Sequence, residues 1–298
     1  MRFGVLGTGF WAREVHAAAL AAHPAAELVG VWGRDVAKAK AVGAAFDVAG
    51  YGDVDELLSR VDAVTMALPP DVQAPLAARA AAAGKHLLLE KPIALDVAGA
   101  DRVVDAVRRA GVASAVFFTF RFQPETSSWL EQAARTTLAG GHASWLSSLA
   151  GSPFDASPWR KEHGALWDIG PHALSVLVPA LGPVVSVQAG AGLRDTVHLV
   201  LGHESGVAST VTLSHTVAPL SAGTEFYVHG DAGRIVLIPE EGAAPRAFAV
   251  AVDELTAAAV AGGTHPCDVG FGRDVVAVLE TATRALRSGC RESVPAAP

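Results

Sequence analysis

Over the first 118 residues, short aliphatic runs alternate with longer stretches rich in Ala and Arg, and this alternation limits the fold more than any other feature of the chain. The short runs are Phe3–Leu6, Leu28–Trp32, Ala63–Leu68, His86–Leu89 and Val112–Phe118. Between them lie helix-forming stretches such as Ala12–Ala22, Asp71–Ala83 and Asp96–Ala110. Leu87-Leu88-Leu89 and Val116-Phe117-Phe118 are apolar at every position, as strands of a parallel sheet covered on both faces must be. Strand and helix in strict alternation imply a doubly wound parallel sheet.

After Arg121 the pattern changes. A helix is expected over Pro124–Leu138, a strand near Ala143–Leu149, a loop through Trp159 and a second helix from Trp167 to Leu181. Strand-like runs follow at Val184–Ala189, Thr196–Leu201, Val207–Leu213, Glu225–His229 and Arg234–Ile238, separated by Gly-containing turns that suggest antiparallel hairpins. A last helix is expected over Gly272–Arg287. The fold class is therefore α/β: a Rossmann-type domain over residues 1–119, then an α+β domain with an open, mainly antiparallel sheet over 120–298. The last helix could pack back on the first domain.

Bulk properties narrow the functional classes. At 298 residues the chain has room for two cores, and 51% hydrophobic against 18% charged residues places it among globular proteins. The net charge of -7 favours neither nucleic acid nor an anionic membrane, each of which calls for clustered Lys and Arg. The two cysteines, Cys267 and Cys290, cannot form a disulfide scaffold, and neither has metal-ligand spacing. The opening Met1–Gly7 reads directly into a strand without the features of a signal peptide, and Gly, Pro or charge interrupts every apolar run before membrane-spanning length. A cytoplasmic protein without a metal is expected.

Gly7-Thr8-Gly9-Phe10-Trp11-Ala12 stands where the first strand turns into the first helix. Gly7 permits a tight turn, Gly9 lets the backbone approach a pyrophosphate, and the helix N-terminus offers N–H groups and a positive dipole end. Any strand-to-helix turn can use glycines; here the strand-helix-strand setting supplies the specific context. The second strand ends at Val31-Trp32-Gly33-Arg34-Asp35, where NAD-binding folds commonly place an acid for the ribose hydroxyls. Gly33 leaves room, the Arg34 guanidinium can hold a 2'-phosphate in a fork, and Lys38 can add charge on the same side. NADP is the preferred cofactor on this reading. NAD, with Asp35 on the ribose and Arg34 as a solvated charge, stays open.

Two further segments carry chemistry. Glu90-Lys91-Pro92 follows a buried strand at its C-terminal end, where open α/β sheets place their ligands. Only five of the 23 basic residues are lysines, so a retained Lys91 suggests a need for a compact, titratable ammonium. Asp168 and His172 are four apart, and Pro171 is tolerated only in a first helical turn, which puts both side chains at the start of a helix on one face. Taken singly, each residue has a bland explanation: a surface lysine paired with Glu90, a capping Asp, a solvated His.

With these motifs in this order, the chain resembles the Gfo/Idh/MocA family of NAD(P)-dependent oxidoreductases. The resemblance also takes in Leu68-Pro69-Pro70, Ala83-Gly84-Lys85-His86, Phe120-Arg121-Phe122-Gln123-Pro124 and Trp159-Arg160. It implies that Lys91 orients substrate and assists proton movement, that His172 is the general acid/base, and that Asp168 is a substrate or proton-relay partner. Pro92 is expected to follow a cis peptide bond. Leu68, Pro69, Pro70, Gln73 and Glu90 would serve the cofactor together with Gly7, Thr8, Gly9, Phe10, Trp11, Gly33, Arg34, Lys38, Lys91, Pro92 and Arg121. Arg121, Trp159 and Arg160 would border the substrate with Lys91, Asp168 and His172. The implied activity is hydride transfer between NAD(P) and a hydroxyl or carbonyl carbon of a sugar, cyclitol or similar small polyol, in a homodimer or homotetramer joined through the open sheet. A dinucleotide-binding sensor without turnover is the alternative; it would have no need of Lys91, Asp168 and His172. The chain departs from the family pattern at Gln73, often His there, at the lone Gly164 and at the bulky Trp167, all on the substrate side. Trp159 and His163 either face substrate or pack in a loop.

Overall fold

The computed structural model describes residues 1–240 and 242–296. The chain forms two compact units, Met1–Phe122 with Glu241–Arg273 and Gln123–Glu240 with Asp274–Pro298.

The first unit begins with β1 (Arg2–Leu6), a π-helical turn (Ala12–Ala17) that runs on as α1 (Ala18–Ala22), β2 (Glu27–Trp32), α2 (Val36–Ala44) and β3 (Ala49–Tyr51). It continues through α3 (Val54–Leu58), β4 (Ala63–Met66), α4 (Pro70–Ala82), β5 (His86–Leu89), α5 (Val97–Ala110) and β6 (Ser114–Val116). Six parallel strands stand in the order β3-β2-β1-β4-β5-β6. Every residue of β4 and β6 is buried, as a sheet covered on both faces requires. Local chemistry sets the helix starts: Asp35, Asp53 and Asp96 each accept a backbone N–H from the first turn of α2, α3 and α5. Gly111, at φ 64°, closes α5 in the left-handed region where glycine is favoured. The order reverses between β1 and β4, so the strand ends there flank the position where this topology binds ligands.

The second unit comprises α6 (Pro124–Ala133), β7 (Leu138–Leu146), α7 (Pro158–Asp168), α8 (Gly170–Leu181), β8 (Val184–Ala191), β9 (Val197–His203), β10 (Ala208–Ser214), β11 (Gly223–Gly230) and β12 (Gly233–Leu237). After α9 (Ala244–Ala261) come α10 (Val269–Ser288) and β13 (Glu292–Ser293). The seven strands stand in the order β12-β11-β7-β10-β9-β8-β13, antiparallel throughout except where β7 runs parallel to β10. One face of the sheet buries Ala143, Leu199, Leu201, Val211, Leu213, Phe226 and Val228. Gly141 meets Leu177 and Leu181 of α8 so closely that a Cβ there would lie 2.9 Å from Leu181. Alternate positions, among them His142, His198, Val200, Thr210 and Tyr227, lie half-buried or exposed on the other face.

Several expectations need correction. The helix expected over Trp167–Leu181 is two helices, α7 and α8, parted at Ile169, because Pro171 has no N–H to give to the preceding turn. The loop expected through Trp159 is helical from Pro158, a residue whose missing N–H costs nothing at a helix start. β3 and α9 had no counterpart in the sequence reading. The first unit extends three residues past 119 and reclaims 241–273, including α9, which packs against α1, β5 and β6. Most of α10 belongs with the second unit; α9 and the first turn of α10 are the segments that return to the first. No described helix is long and apolar enough to cross a membrane.

Candidate active-site elements in each unit

In the first unit most of the sequence-predicted residues follow the C-terminal ends of β1, β2, β4 and β5. Gly7 ends β1 at φ 137°, and a Cβ there would stand 2.5 Å from the Ala67 carbonyl oxygen, so only glycine fits. At Gly9 the reverse holds: an added Cβ would meet nothing within 4 Å. The turn thus leaves open ground beside its backbone and beside the start of the following helix, which is the room a pyrophosphate needs. Thr8 and Trp11 are half-buried, and Phe10 is exposed. After β4, half-buried Leu68 and Pro69 lead to Pro70 at the first position of α4.

At the end of β2, Gly33 is packed against the turn: a Cβ would lie 2.6 Å from the Thr8 methyl, so any larger residue there requires Thr8 to shift. Asp35 caps α2, its Oδ1 accepting the N–H groups of Ala37 (3.0 Å) and Lys38 (3.2 Å). Arg34 and Lys38 are exposed beside it.

The Glu90-Lys91-Pro92 segment is held from inside, with a cis bond before Pro92. Gln73, fully buried on α4, donates through Nε2 to the carbonyls of Glu90 (2.7 Å) and Pro92 (3.3 Å) and accepts the Glu90 N–H at Oε1 (2.9 Å). Its side chain therefore clamps the turn. The Glu90 carboxylate is likewise taken up within the unit: Oε1 accepts from Trp11 Nε1 at 2.6 Å and lies 3.0 Å from His16 Nε2. The His16 ring is wholly buried, 2.7 Å from Thr65 Oγ1 through Nδ1 and tilted at 35° against Phe248 of α9 with ring centres 4.3 Å apart. A Thr65 hydroxyl donating to Nδ1 and an Nε2–H donating to Glu90 satisfy every member of this chain. Lys91 is half-buried at the end of the clamped turn. Arg121 sits in a 3-10 turn (Thr119–Phe122), also half-buried. Burial pushes the nearby Cys267 thiol up to about 11 against the opposing pull of the Arg121 charge.

In the second unit Asp168, the last residue of α7, is buried, and its Oδ2 accepts from Arg160 Nε at 2.8 Å. The Arg160 guanidinium is stacked on the rings of Phe154 (4.4 Å) and Trp159 (4.9 Å), which fixes its plane. His215 Nε2 lies 3.0 Å from the same carboxylate oxygen. His172, in the first turn of α8, is buried with its ring 5.4 Å from that of Trp145, and its carbonyl accepts from Ser175. His163 lies between the rings of Trp159 (6.5 Å) and Trp167 (6.3 Å). Asp195 underpins the strand end: it accepts from Ser214, Thr216 and the His215 N–H, and these bonds outweigh its burial and hold its carboxyl below the usual range. Among the described residues no cluster of three or more His, Cys, Asp and Glu has metal-binding geometry.

No local motif marks His16, Thr65, His215 or Ser147, because each is defined by a partner 47 to 74 positions away.

Residues 1–118 match the family model of oxidoreductases with an NAD-binding Rossmann fold, and residues 129–236 match the Gfo/Idh/MocA C-terminal domain. A dTDP-3,4-didehydro-2,6-dideoxy-alpha-D-glucose 3-reductase of Streptomyces antibioticus is 30% identical over 251 residues, 80% of this chain and 75% of that protein. The chain belongs to the Gfo/Idh/MocA oxidoreductase family. D-apiose dehydrogenase of Paraburkholderia graminis is 31% identical over 227 residues, 71% of this chain and 60% of that enzyme. The matched stretch spans about half the length of curated relatives of this kind, 52%, 34% and 60% in three of the most similar. Among solved structures, an NAD binding oxidoreductase from Klebsiella pneumoniae superposes over all of both chains with a TM-score of 0.88 at 22% identity, a likeness of fold.

Proposed function

We propose that this Gfo/Idh/MocA protein is a dehydrogenase or reductase that moves a hydride between NADP, with NAD as a second choice, and a CH–OH carbon of a sugar, cyclitol or related polyol. The observation that carries the reading is the clamped Glu90-Lys91-Pro92 turn, which holds an amine at the end of β5 on the same strand-end edge as the open glycine turn of β1. The two sugar-acting relatives support the substrate class.

A bound nicotinamide would supply the hydride acceptor or donor. Gly7, Thr8, Gly9, Phe10 and Trp11 would receive the pyrophosphate, with Leu68, Pro69 and Pro70 along the ring and ribose. NADP preference is supported by Gly33, tight against Thr8, by Asp35, whose Oδ1 is spent as a helix cap, and by the exposed guanidinium of Arg34 near Lys38. In oxidation His172 would take the hydroxyl proton while the Lys91 ammonium stabilises the alkoxide charge that develops. Arg121, Trp159 and Arg160 would shape the substrate side, and Asp168, paired with Arg160, would present a fixed negative charge to substrate hydroxyls. The sheet face bearing the exposed Val200, Val236 and Ile238 would join copies of the chain into a dimer or tetramer.

Fluorescence titration with NADPH and NADH, followed by a sugar and polyol panel read at the nicotinamide absorbance, tests the reading. Tighter NADPH binding and turnover of at least one polyol are expected. Cofactor binding without turnover across the panel would favour a sensor.

A further inference from the structure

In the second unit the ends of β7 and β10 are tied together just beyond their last paired residues. Ser147 N donates to the Ser214 carbonyl at 2.8 Å and Leu149 N to the His215 carbonyl at 3.1 Å. The His215 N–H is held by Asp195 Oδ2 at 2.9 Å. The backbone of His215 is thus fixed on both sides, and its imidazole is buried with both nitrogens committed. Nδ1 lies 2.8 Å from Ser147 Oγ and Nε2 lies 3.0 Å from Asp168 Oδ2. His203, in the same unit, offers a contrast: its ring is anchored to a backbone carbonyl, that of Gly182, and to the Ser209 hydroxyl, both uncharged. His215 instead spends its second nitrogen on a buried carboxylate.

We infer that His215 and Ser147 are positioning residues for Asp168, Ser147 selecting the imidazole tautomer and His215 thereby fixing the orientation and ionised state of the carboxylate. The inference rests on the proposed placing of Asp168 in the active site. The Ser147 hydroxyl has two acceptors in reach, His215 Nδ1 at 2.8 Å and the Ser214 carbonyl at 3.3 Å, and an acceptor carboxylate at Nε2 favours the shorter of the two. A Ser147 hydroxyl donating to Nδ1 leaves the ring proton on Nε2, the nitrogen that faces Asp168, and the hydrogen bond at one imidazole nitrogen sets the role of the other. Asp168 Oδ2 then receives two donors, His215 Nε2–H and Arg160 Nε–H, from opposite parts of the unit, the β10 end and the first turn of α7. Two donors on one oxygen favour the charged carboxylate and pin its plane. Removal of the serine frees the ring to turn a bare nitrogen toward the carboxylate, where two acceptors would repel.

Glutamine separates this role from mere packing and from proton transfer. It places an N–H donor and a carbonyl acceptor about where the imidazole has them, and it does not titrate. Steady-state kinetics of His215→Leu, His215→Gln and Ser147→Ala are compared with wild type, with thermal unfolding as the check on folding. His215→Leu is expected to lower kcat about 10- to 100-fold, the usual scale for a supporting-shell partner, with KM within about threefold. Ser147→Ala should fall between, and His215→Gln should retain most of the wild-type kcat. Nitrogen-15 spectra of histidine-labelled wild type should show His215 as the Nε2–H tautomer, and that signature should weaken in Ser147→Ala even if His215→Leu does not fold. Wild-type kcat in a folded His215→Leu, or an Nδ1–H tautomer in wild type, overturns the positioning role alone. A wild-type protein with no turnover of any polyol overturns the proposed function and this role with it.

Discussion

Gln73 offers the sharpest test of how the fold builds the lysine turn. Its amide makes three hydrogen bonds to the backbone of Glu90 and Pro92 from a fully buried position. In Gln73→Met the side chain keeps its length and loses all three. A net hydrogen bond is worth about 0.5–1.5 kcal/mol, and a buried group stranded without a partner costs about 1–3 kcal/mol. The Glu90 N–H and carbonyl are both stranded, while the Pro92 contact, at 3.3 Å, is the weakest of the three. A loss of roughly 2–4 kcal/mol follows, and at roughly 2–4 °C per kcal/mol for a unit of this size the melting temperature should fall by about 4–16 °C. Calorimetry reads the loss directly, and NADPH titration of the same variant at low temperature reads the displaced turn as weaker binding. Gln73→Glu should do worse at pH 8 than at pH 5, because only a protonated carboxyl can donate to the Glu90 carbonyl. Stability of Gln73→Met within about 0.5 kcal/mol of wild type, the scale of an ordinary surface change, would refute the clamp.

Three further outcomes are expected. Arg34→Ala should weaken NADPH binding about 10- to 100-fold, the scale of a charge-assisted hydrogen bond, and leave NADH binding within about twofold, as measured by fluorescence titration. The Arg2 side chain, aided by its backbone N–H, holds the Asp62 carboxyl at about 2, below its unfolded value of about 3.9. A lowered carboxyl stabilises the fold above the unfolded value and ceases to do so as pH falls through the folded one, so the small stability gap between wild type and Asp62→Asn should close between about pH 4 and pH 2 in denaturant titrations. A thiol reagent at pH 8 should label exposed Cys290 quickly and buried Cys267, with its thiol at about 11, only on unfolding, as read by mass spectrometry.

The first unit was legible because its signals are local. Continuous apolar runs mark β5, at Leu87-Leu88-Leu89, and the end of β6, at Val116-Phe117-Phe118, and Gly7 declares a turn that no side chain could enter. β3 was too short, at three residues, to carry a pattern. In α9, Ala247, Phe248, Ala251, Val252 and Leu255 do trace a helical stripe, but its Ala and Val content sets it apart little from the strands before it. Of the candidate site, the residue types in Glu90-Lys91-Pro92 and Asp168-x-Gly170-x-His172 could be read directly. What each side chain touches could not: Gln73 and Glu90 turned inward, and His16 and His215 acquired their meaning only from carboxylates distant in sequence.

The reaction itself is tested most directly by turnover of the best polyol in Lys91→Met and His172→Ala, with NADPH affinity measured alongside. Each substitution should lower kcat by on the order of 10²–10⁴ while cofactor affinity stays within a few-fold, the usual size of acid–base help. Full turnover in both variants would contradict hydride transfer assisted by this amine and this imidazole.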